Sequence, residues 1–295
     1  MRQENHMKAV TLFPSHVRKA LDEALLIVKV LREKGIRVFL PETAASIAGL
    51  EDCIASSDVI RSESDILISM GGDGTLLRAA RFVGRSEIPI LGINLGRLGF
   101  LTETQVSSWG DAIDRVQQGQ YQIVERMLLS CEVRRDNQVI LGGDALNDVV
   151  IHRGAVSRLL DLEIFIDEGY VGTYSADGLI ISTPTGSTAY SLSCGGPIVN
   201  PEVSCLLLTA ICPHTLSARP LIISDREKVM VKERVIDGIS LTLDGHLNFV
   251  LLKNDEVRVE KASYGMKFVH FEKTFYRTVQ EKLKWVSHHS EESGK

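Results

Sequence analysis

Near residue 125 the chain changes its periodicity, and this change restricts the fold more than any other feature. Before it, short apolar runs alternate with helical spacing. After it, strand-like segments follow one another almost without a break. "MKAVTLF" at 7 to 13, "IRVFL" at 36 to 40, "DILISM" at 65 to 70 and "IPILGIN" at 88 to 94 read as strands. Between the first two, Val17, Ala20, Leu21, Ala24, Leu25, Val28 and Leu31 recur at helical spacing until Gly35 ends the pattern. Strands alternating with helices predict a parallel sheet covered on both faces. "WGDAIDRVQQGQY" predicts a further helix starting near Trp109.

From "RMLLSCEVRR" through "QVILGGDALNDVVIH", "LLDLEIFID", "GLIISTP", "RPLIIS", "KVMVKE", "GISLTLDG" and "NFVLLK" to "EVRVEKA", helical spacing is scarce, which predicts an all-β domain. "FEKTFYRTVQEKLKW" returns to helical spacing through Phe275, Val279, Leu283 and Trp285. The expected fold class is an α/β N-terminal domain with a parallel sheet, plus an all-β, sandwich-like C-terminal domain and a C-terminal helix that packs back. The expected boundaries are 1–124 for the α/β domain, with 271–295 returning to it, and 125–270 for the all-β domain. A chain of 295 residues suits two cores better than one.

Composition narrows the function classes. A net charge of -5 argues against a broad electrostatic footprint for nucleic acid or an anionic membrane, so an anionic ligand needs a local site. The five cysteines are scattered, with no C-x-x-C pair and no zinc spacing, and read as reduced thiols. No metal-ligating cluster is expected. The opening "MRQENHMKAVTLF" lacks the apolar run of a signal peptide, and no segment reaches membrane-spanning length, so a cytoplasmic protein is expected.

"SMGGDGTLLRAA", 69 to 80, delivers a strand directly into Gly71, Gly72, Asp73, Gly74 and Thr75 and then into a helix. In an open parallel sheet this is the edge where ligands sit. Glycines let a phosphate approach backbone N–H groups, and the helix offers its positive end. An ionised aspartate in such a turn is repelled by phosphates unless it has a proton or a cation to handle. Asp73 is therefore a candidate base acting on a hydroxyl, with Arg78, Arg81 and Arg97 as partners for phosphate oxygens. The alternative is a tight strand-to-helix turn in which Asp73 only caps. Neither G-x-x-x-x-G-K-[ST] nor G-x-G-x-x-G is present, which disfavours a P-loop ATPase and an ordinary dinucleotide dehydrogenase.

A second cluster lies in "GLIISTPTGSTAYSLSCGG", 178 to 196, where Pro184 breaks a strand before a run of hydroxyls and small residues. Hydroxyls and open amides can hold ribose or phosphate, and Tyr190 can lie against a base. The alternative is a Ser/Thr-rich surface turn. Asn147 and Asp148 in "ALNDVVIH" offer donors to a base edge and an acceptor for paired ribose hydroxyls. Alone, that pair, Asp177 and His246 each read by default as satisfied turn residues.

Taken together and in order, "GGDGT" at 71 to 75, "NLGRLGFL" at 94 to 101, "LND" at 146 to 148 and "TPTGSTAYSLSCGG" at 183 to 196 resemble the bacterial NAD kinases. The resemblance spans roughly residues 7 to 286 and implies transfer of the ATP γ-phosphoryl group to the adenosine ribose 2'-hydroxyl of NAD, giving NADP. It implies Asp73 as general base. Gly71, Gly72, Thr75 and Arg78 fall around the phosphates. Gly74, Phe100, Asn147, Asp148, Arg158, Asp177, Thr188, Ala189, Tyr190, Ser193 and His246 would contact NAD. Mg2+ with ATP is the implied cofactor, and a homodimer or homotetramer the implied assembly. Neither nucleic acid nor membrane is an expected partner.

Two departures stand out. The family usually has Asn-Glu where Asn147-Asp148 stands, which shortens the carboxylate by one methylene. Close relatives often carry arginine where Ser175 stands. Other readings are a lipid kinase or a phosphofructokinase with the same loop type, or a non-catalytic NADP-binding regulator.

Overall fold

The computed structural model describes residues 7–44, 49–96, 99–154, 159–214, 217–233, 239–271 and 275–284. It divides into two compact units, one of residues 1–124 with 267–295 and one of residues 125–266.

Unit 1 begins with β1 (Ala9–Pro14), α1 (Arg18–Glu33), β2 (Arg37–Pro41), β3 (Ile54–Ala55) and α2 (Ser57–Glu63). It continues with β4 (Ile66–Gly71), α3 (Asp73–Val83), β5 (Ile90–Asn94), β6 (Thr104–Gln105) and α4 (Trp109–Gln117). The buried side of α1 is Ala20, Ala24, Ile27, Val28 and Leu31. That stripe is rotated slightly from the sequence expectation: Val17 and Leu25 are exposed, and Ile27 takes the inward place. Gly35, at φ 72°, closes the helix, and the Ile36 N–H returns to the Leu31 carbonyl at 2.9 Å.

The strands β5, β4, β1, β2 and β3 are neighbours in that order and all run parallel. From β1 the chain moves outward through β2 and β3, then returns to the other side of β1 as β4. The direction of winding thus reverses between β1 and β4, and the carboxyl edge there is where open α/β sheets bind ligands. The turn after β4 is the Gly71–Gly72 turn. Ile27, Leu31, Leu12, Ile68, Met70, Ile93 and Ile113 belong to the core between this sheet and its helices.

Unit 2 contains β7 (Gln122–Arg135, from residue 125), β8 (Gln138–Ala145), β9 (Asp148–His152), β10 (Leu160–Ile166), β11 (Gly169–Ala176) and β12 (Gly178–Ser182). A single helical turn, α5 (Tyr190–Ser193), precedes β13 (Cys205–Ile211), β14 (Leu221–Ser224), β15 (Val229–Lys232), β16 (Ile239–Leu243), β17 (Leu247–Leu251) and β18 (Glu256–His270). One sheet has the order β14-β13-β12-β9-β16-β17, antiparallel throughout. The other carries β11, β10, β15, β18, β7 and β8. Alternate residues of both sheets, among them Val149, Ile151, Leu179, Ile181 and Leu241 of the first and Leu129, Leu162, Val231 and Val257 of the second, form one shared core. This is the packing of a β-sandwich.

The last residues of β18 belong to unit 1, where Phe268 pairs with Ile90 of β5 in parallel. Helix α6 (Phe275–Leu283) follows and buries Val279. Trp285, expected at its end, lies outside the described residues. The fold class expected from sequence, parallel α/β followed by antiparallel β with a terminal helix, is the one observed.

Candidate functional site

In unit 1, strand β4 ends in Gly71 and Gly72, and α3 starts at Asp73. A Cβ on Gly71 would fall 2.2 Å from Thr75 Oγ1, so glycine is what lets the first turn of the helix close so tightly on the strand. Gly72 and Gly74 are exposed, with open space where a side chain would stand. Half-buried Asp73 sits between them. The first-turn amides of Asp73 and Gly74 are of the kind an α-helix leaves without an internal acceptor, and they carry its positive end.

The Asp73 carboxylate is held from the other side. Oδ2 accepts the Phe100 N–H at 2.9 Å and Oδ1 the Leu101 N–H at 3.2 Å. Gly99 makes this possible, because a Cβ there would lie 1.8 Å from Asp73 Oδ1. The loop is stapled in turn by Thr102, whose hydroxyl accepts from Asn94 Nδ2 at 3.0 Å and from the Gly99 N–H at 2.9 Å. Two amides fix the orientation of Asp73 and use about half of its acceptor positions, leaving the rest for an incoming hydroxyl. Asn94, Gly99 and Thr102 were passed over in the sequence, although "GINLGRLGFLT" contains all three. Phe100 also carries Lys282 Nζ of α6 5.8 Å from its ring centroid. Arg97 lies outside the described residues, and Arg78 stands over the Phe13 ring at 6.0 Å.

In unit 2, a cavity of about 520 Å3 lies on one face of the β9 sheet. Period-two alternation decides what reaches it. Val149 and Ile151 enter the core, so Asp148, Val150 and His152 line the cavity; by the same rule Leu241 and Leu243 point inward and Thr242 outward. Asn147, Asp177, Ala189 and Tyr190 complete the predicted part of the lining. Thr188, Ser193 and His246 are not among its lining residues, and Arg158 lies outside the described residues. His152, Arg153, Thr242 and Asp244 also line the cavity and carry no motif in the sequence. Strand alternation from Asp148 would have given His152.

Asp244 organises this site. Its carboxylate accepts the N–H groups of Leu146, Asn147 and Asp148 at 2.8, 2.7 and 3.2 Å, and its own N–H donates to the Asp148 carbonyl at 3.0 Å. Gly186 then packs directly on Asn147, where a Cβ would fall 2.0 Å from the Asn147 oxygen. Most of the hydroxyls in 183 to 193 hold the loop itself. Thr183 Oγ1 donates to the Leu146 carbonyl at 2.6 Å, Ser187 Oγ to that of Pro184 at 2.6 Å, and Ser191 bonds Thr209 at 2.9 Å. Thr185 Oγ1 is buried with no hydrogen-bond partner among the described residues. The loop folds as a 3-10 turn, Gly186–Thr188, followed by α5, which leaves Ala189 and Tyr190 facing the cavity.

Charge in the cavity is unevenly distributed. Burial and the facing Asp244 carboxylate push the Asp148 carboxyl up to about 7. Asp244 is raised by burial too, but three N–H donors oppose this, so Asp244 is the ionised member and Asp148 takes the proton. Burial pulls His152 down, in keeping with its Nδ1 accepting the Gly154 N–H at 3.2 Å. Asp177 pairs with Arg153 Nε at 3.2 Å. Tyr190 is raised by burial and by nearby Cys194, which keeps its phenol protonated. The cavity can accept from hydroxyls, donate from Asn147 and place one aromatic ring against a flat ligand.

Solved structures give the class. A yeast NADH kinase complexed with NADH has the same fold, with a TM-score of 0.89 and 28% identity over 98% of this chain and 91% of that one. An NAD kinase from Archaeoglobus fulgidus in complex with ATP shares the fold at a TM-score of 0.74 and 24% identity, over 95% of this chain and 99% of that one.

The chain belongs to the ATP-NAD kinase family: residues 16–121 match its N-terminal domain and residues 146–271 its C-terminal domain. Similar proteins include the NAD kinase of Geotalea daltonii, 40% identical over 95% of this chain and 99% of that one. The NAD kinase of Moorella thermoacetica is 45% identical over 89% and 85%.

Proposed function

We propose that the chain is an NAD kinase, which transfers the γ-phosphoryl group of ATP to the 2'-hydroxyl of the adenosine ribose of NAD and produces NADP. The observation that carries the mechanism is the Asp73 carboxylate, aimed by the Phe100 and Leu101 amides and flanked by two exposed glycines at the first turn of α3.

In this reading the 2'-hydroxyl gives its proton to Asp73 as its oxygen bonds the γ-phosphorus. The bond from that phosphorus to the β,γ-bridging oxygen breaks, and ADP leaves. Gly71, Gly72 and Thr75 lie around the phosphates, the free first-turn amides of α3 orient them, and Arg78 adds positive charge. Asn147, Asp148, Asp177, Ala189 and Tyr190 hold NAD, joined by Gly74, Phe100, Arg158, Thr188, Ser193 and His246. Among the described residues no group of three His, Cys, Asp or Glu side chains is placed to hold a metal ion. Mg2+ would accompany ATP as part of the substrate and would neutralise the charge of its phosphates.

Assembly into homodimers or homotetramers is part of the reading, and sedimentation tests it. A cytoplasmic setting is proposed as well; no helix among the described residues is long and apolar enough to cross a membrane. The decisive experiment is a coupled NADP-formation assay with ATP and inorganic polyphosphate side by side. NADP from ATP supports the reading, and no NADP from any donor overturns it.

A further inference from the structure

The C-terminal segment of unit 1 meets the loop of residues 99–103 twice, and the proposed chemistry uses neither contact. The first lies at the end of β18. Glu103 Oε1 accepts the Phe271 N–H at 2.9 Å, and Oε2 lies 3.1 Å from His270 Nδ1. The Glu103 N–H donates in turn to the Gly92 carbonyl of β5 at 3.0 Å, so one residue ties the C-terminal chain to both the loop and the sheet.

The second contact is made by α6. Thr278 and Val279 are the buried residues of this helix. Lys282 follows them by four and three positions, which places it on the same face. On the exposed side Arg277 closes onto Glu281 at 3.0 Å. Lys282 pairs with no carboxylate among the described residues; its Nζ lies over the Phe100 ring, 5.8 Å from the centroid. A cation in that place is attracted by the electron-rich ring face.

The ring that Lys282 covers belongs to the residue that aims the acid. The Phe100 N–H donates to Asp73 Oδ2 at 2.9 Å, and the Leu101 N–H to Oδ1 at 3.2 Å. The rest of the loop is pinned already, since Thr102 Oγ1 accepts the Gly99 N–H at 2.9 Å and Glu103 fixes the far end. Phe100 is held by its ring. We infer that Lys282 is a positioning residue for phosphoryl transfer: it steadies Phe100 and, through it, the two amides that point the Asp73 carboxylate at the hydroxyl. This rests on the kinase reading above. An exposed contact of this kind shifts an equilibrium about two- to fivefold, which sets the size of the effect.

Steady-state kinetics of wild type, Lys282→Met, Lys282→Arg, Phe100→Leu, the double variant Phe100→Leu/Lys282→Met and the control Lys284→Met test this. Lys284 is exposed and makes no ring contact among the described residues. Lys282→Met should lower kcat about threefold, with both KM values within about twofold of wild type and an unchanged unfolding temperature. Lys282→Arg keeps a cation over the ring and should restore kcat, and Lys284→Met should lose nothing. In the Phe100→Leu background, Lys282→Met should cost nothing further, because the ring it acts through is gone. Unchanged kcat in Lys282→Met, a matching loss in Lys284→Met, a rise in KM in place of the fall in kcat, or an equal loss in both backgrounds overturns the inference.

Amide hydrogen exchange, which needs no substrate, separates this result from the kinase reading. The Phe100 and Leu101 amides should exchange about threefold faster in Lys282→Met than in wild type or Lys282→Arg. If wild type makes no NADP but that acceleration is seen, the brace stands and the kinase reading fails. If the two amides exchange equally in Lys282→Met and wild type, the brace fails whatever the kinetics show.

Discussion

The carboxylate of Asp244 accepts the backbone N–H of Asn147 at 2.7 Å, and with the neighbouring amides of Leu146 and Asp148 it shapes the turn that presents both site side chains. Asp244→Asn keeps one acceptor oxygen but puts an NH2 group against N–H donors. We expect a loss of about 2 kcal/mol in unfolding free energy, from charged hydrogen bonds that are no longer made. The KM for NAD should rise well above that for ATP. Denaturant titration and two-substrate kinetics check both.

Asp73→Asn should lower kcat roughly 100-fold or more, the usual reach of a general base, while the chain remains folded. The same swap leaves one of the Phe100 and Leu101 amides facing an NH2 group, at a cost of about 1 kcal/mol. Gly99→Ala should mimic the kinetic defect without touching the acid, because its new methyl occupies the place of Oδ1. If turnover in Asp73→Asn stays near wild type, the base assignment is wrong.

Gly186→Ala should be among the most damaging single-methyl additions in unit 2. The obstructing atom is the Asn147 carbonyl oxygen, 2.0 Å from the new carbon, and backbone cannot swing aside as a long side chain would. Overpacking of this kind costs about 1–3 kcal/mol, here together with displacement of Asn147. Comparing the unfolding midpoint and the NAD KM with those of Gly142→Ala, where nothing stands within 4 Å, isolates the effect.

Stability should depend on pH through Asp148. Its folded value of about 7 lies above the ordinary 3.8, so the folded state binds the proton more tightly than the unfolded chain. The stabilisation is complete below about pH 4 and is lost as pH rises through about 7. The difference in unfolding free energy between wild type and Asp148→Asn should therefore move against wild type between pH 5 and 8, by roughly a few kcal/mol. Urea titrations at intervals across that range measure it, and a flat difference would show that Asp148 is ionised throughout.

Much of this was readable in the sequence because period and turn chemistry are local. The switch at residue 125, the stop at Gly35 and the glycine turn before α3 needed only neighbours in the chain. Asp244 was not readable, since its role depends on β16 pairing with β9, which brings it to amides 96 to 98 residues away. Gly99 escaped for the same reason: a glycine in a loop says nothing of a carboxylate 26 positions earlier until the β4–β5 register places them together. The hydroxyls of Thr183, Ser187 and Ser191 show what composition leaves open. Their chemistry suits a ligand, but Thr183, Ser187 and Ser191 spend it on the loop, a choice made by burial that composition does not reveal.

The pairing of Phe268 with Ile90 has a consequence for biosynthesis. As the nascent chain leaves the ribosome, β6 covers β5 at Ile93 and Asn94, but the whole sandwich is translated before the strand that pairs with Ile90 emerges. The amino-terminal half must therefore wait, unfinished, through about half of its own synthesis. Chains released early, just short of residue 267, would carry a complete second core and a first sheet whose β5 lacks its partner at Ile90, which is the kind of surface that recruits chaperones or other unfinished copies.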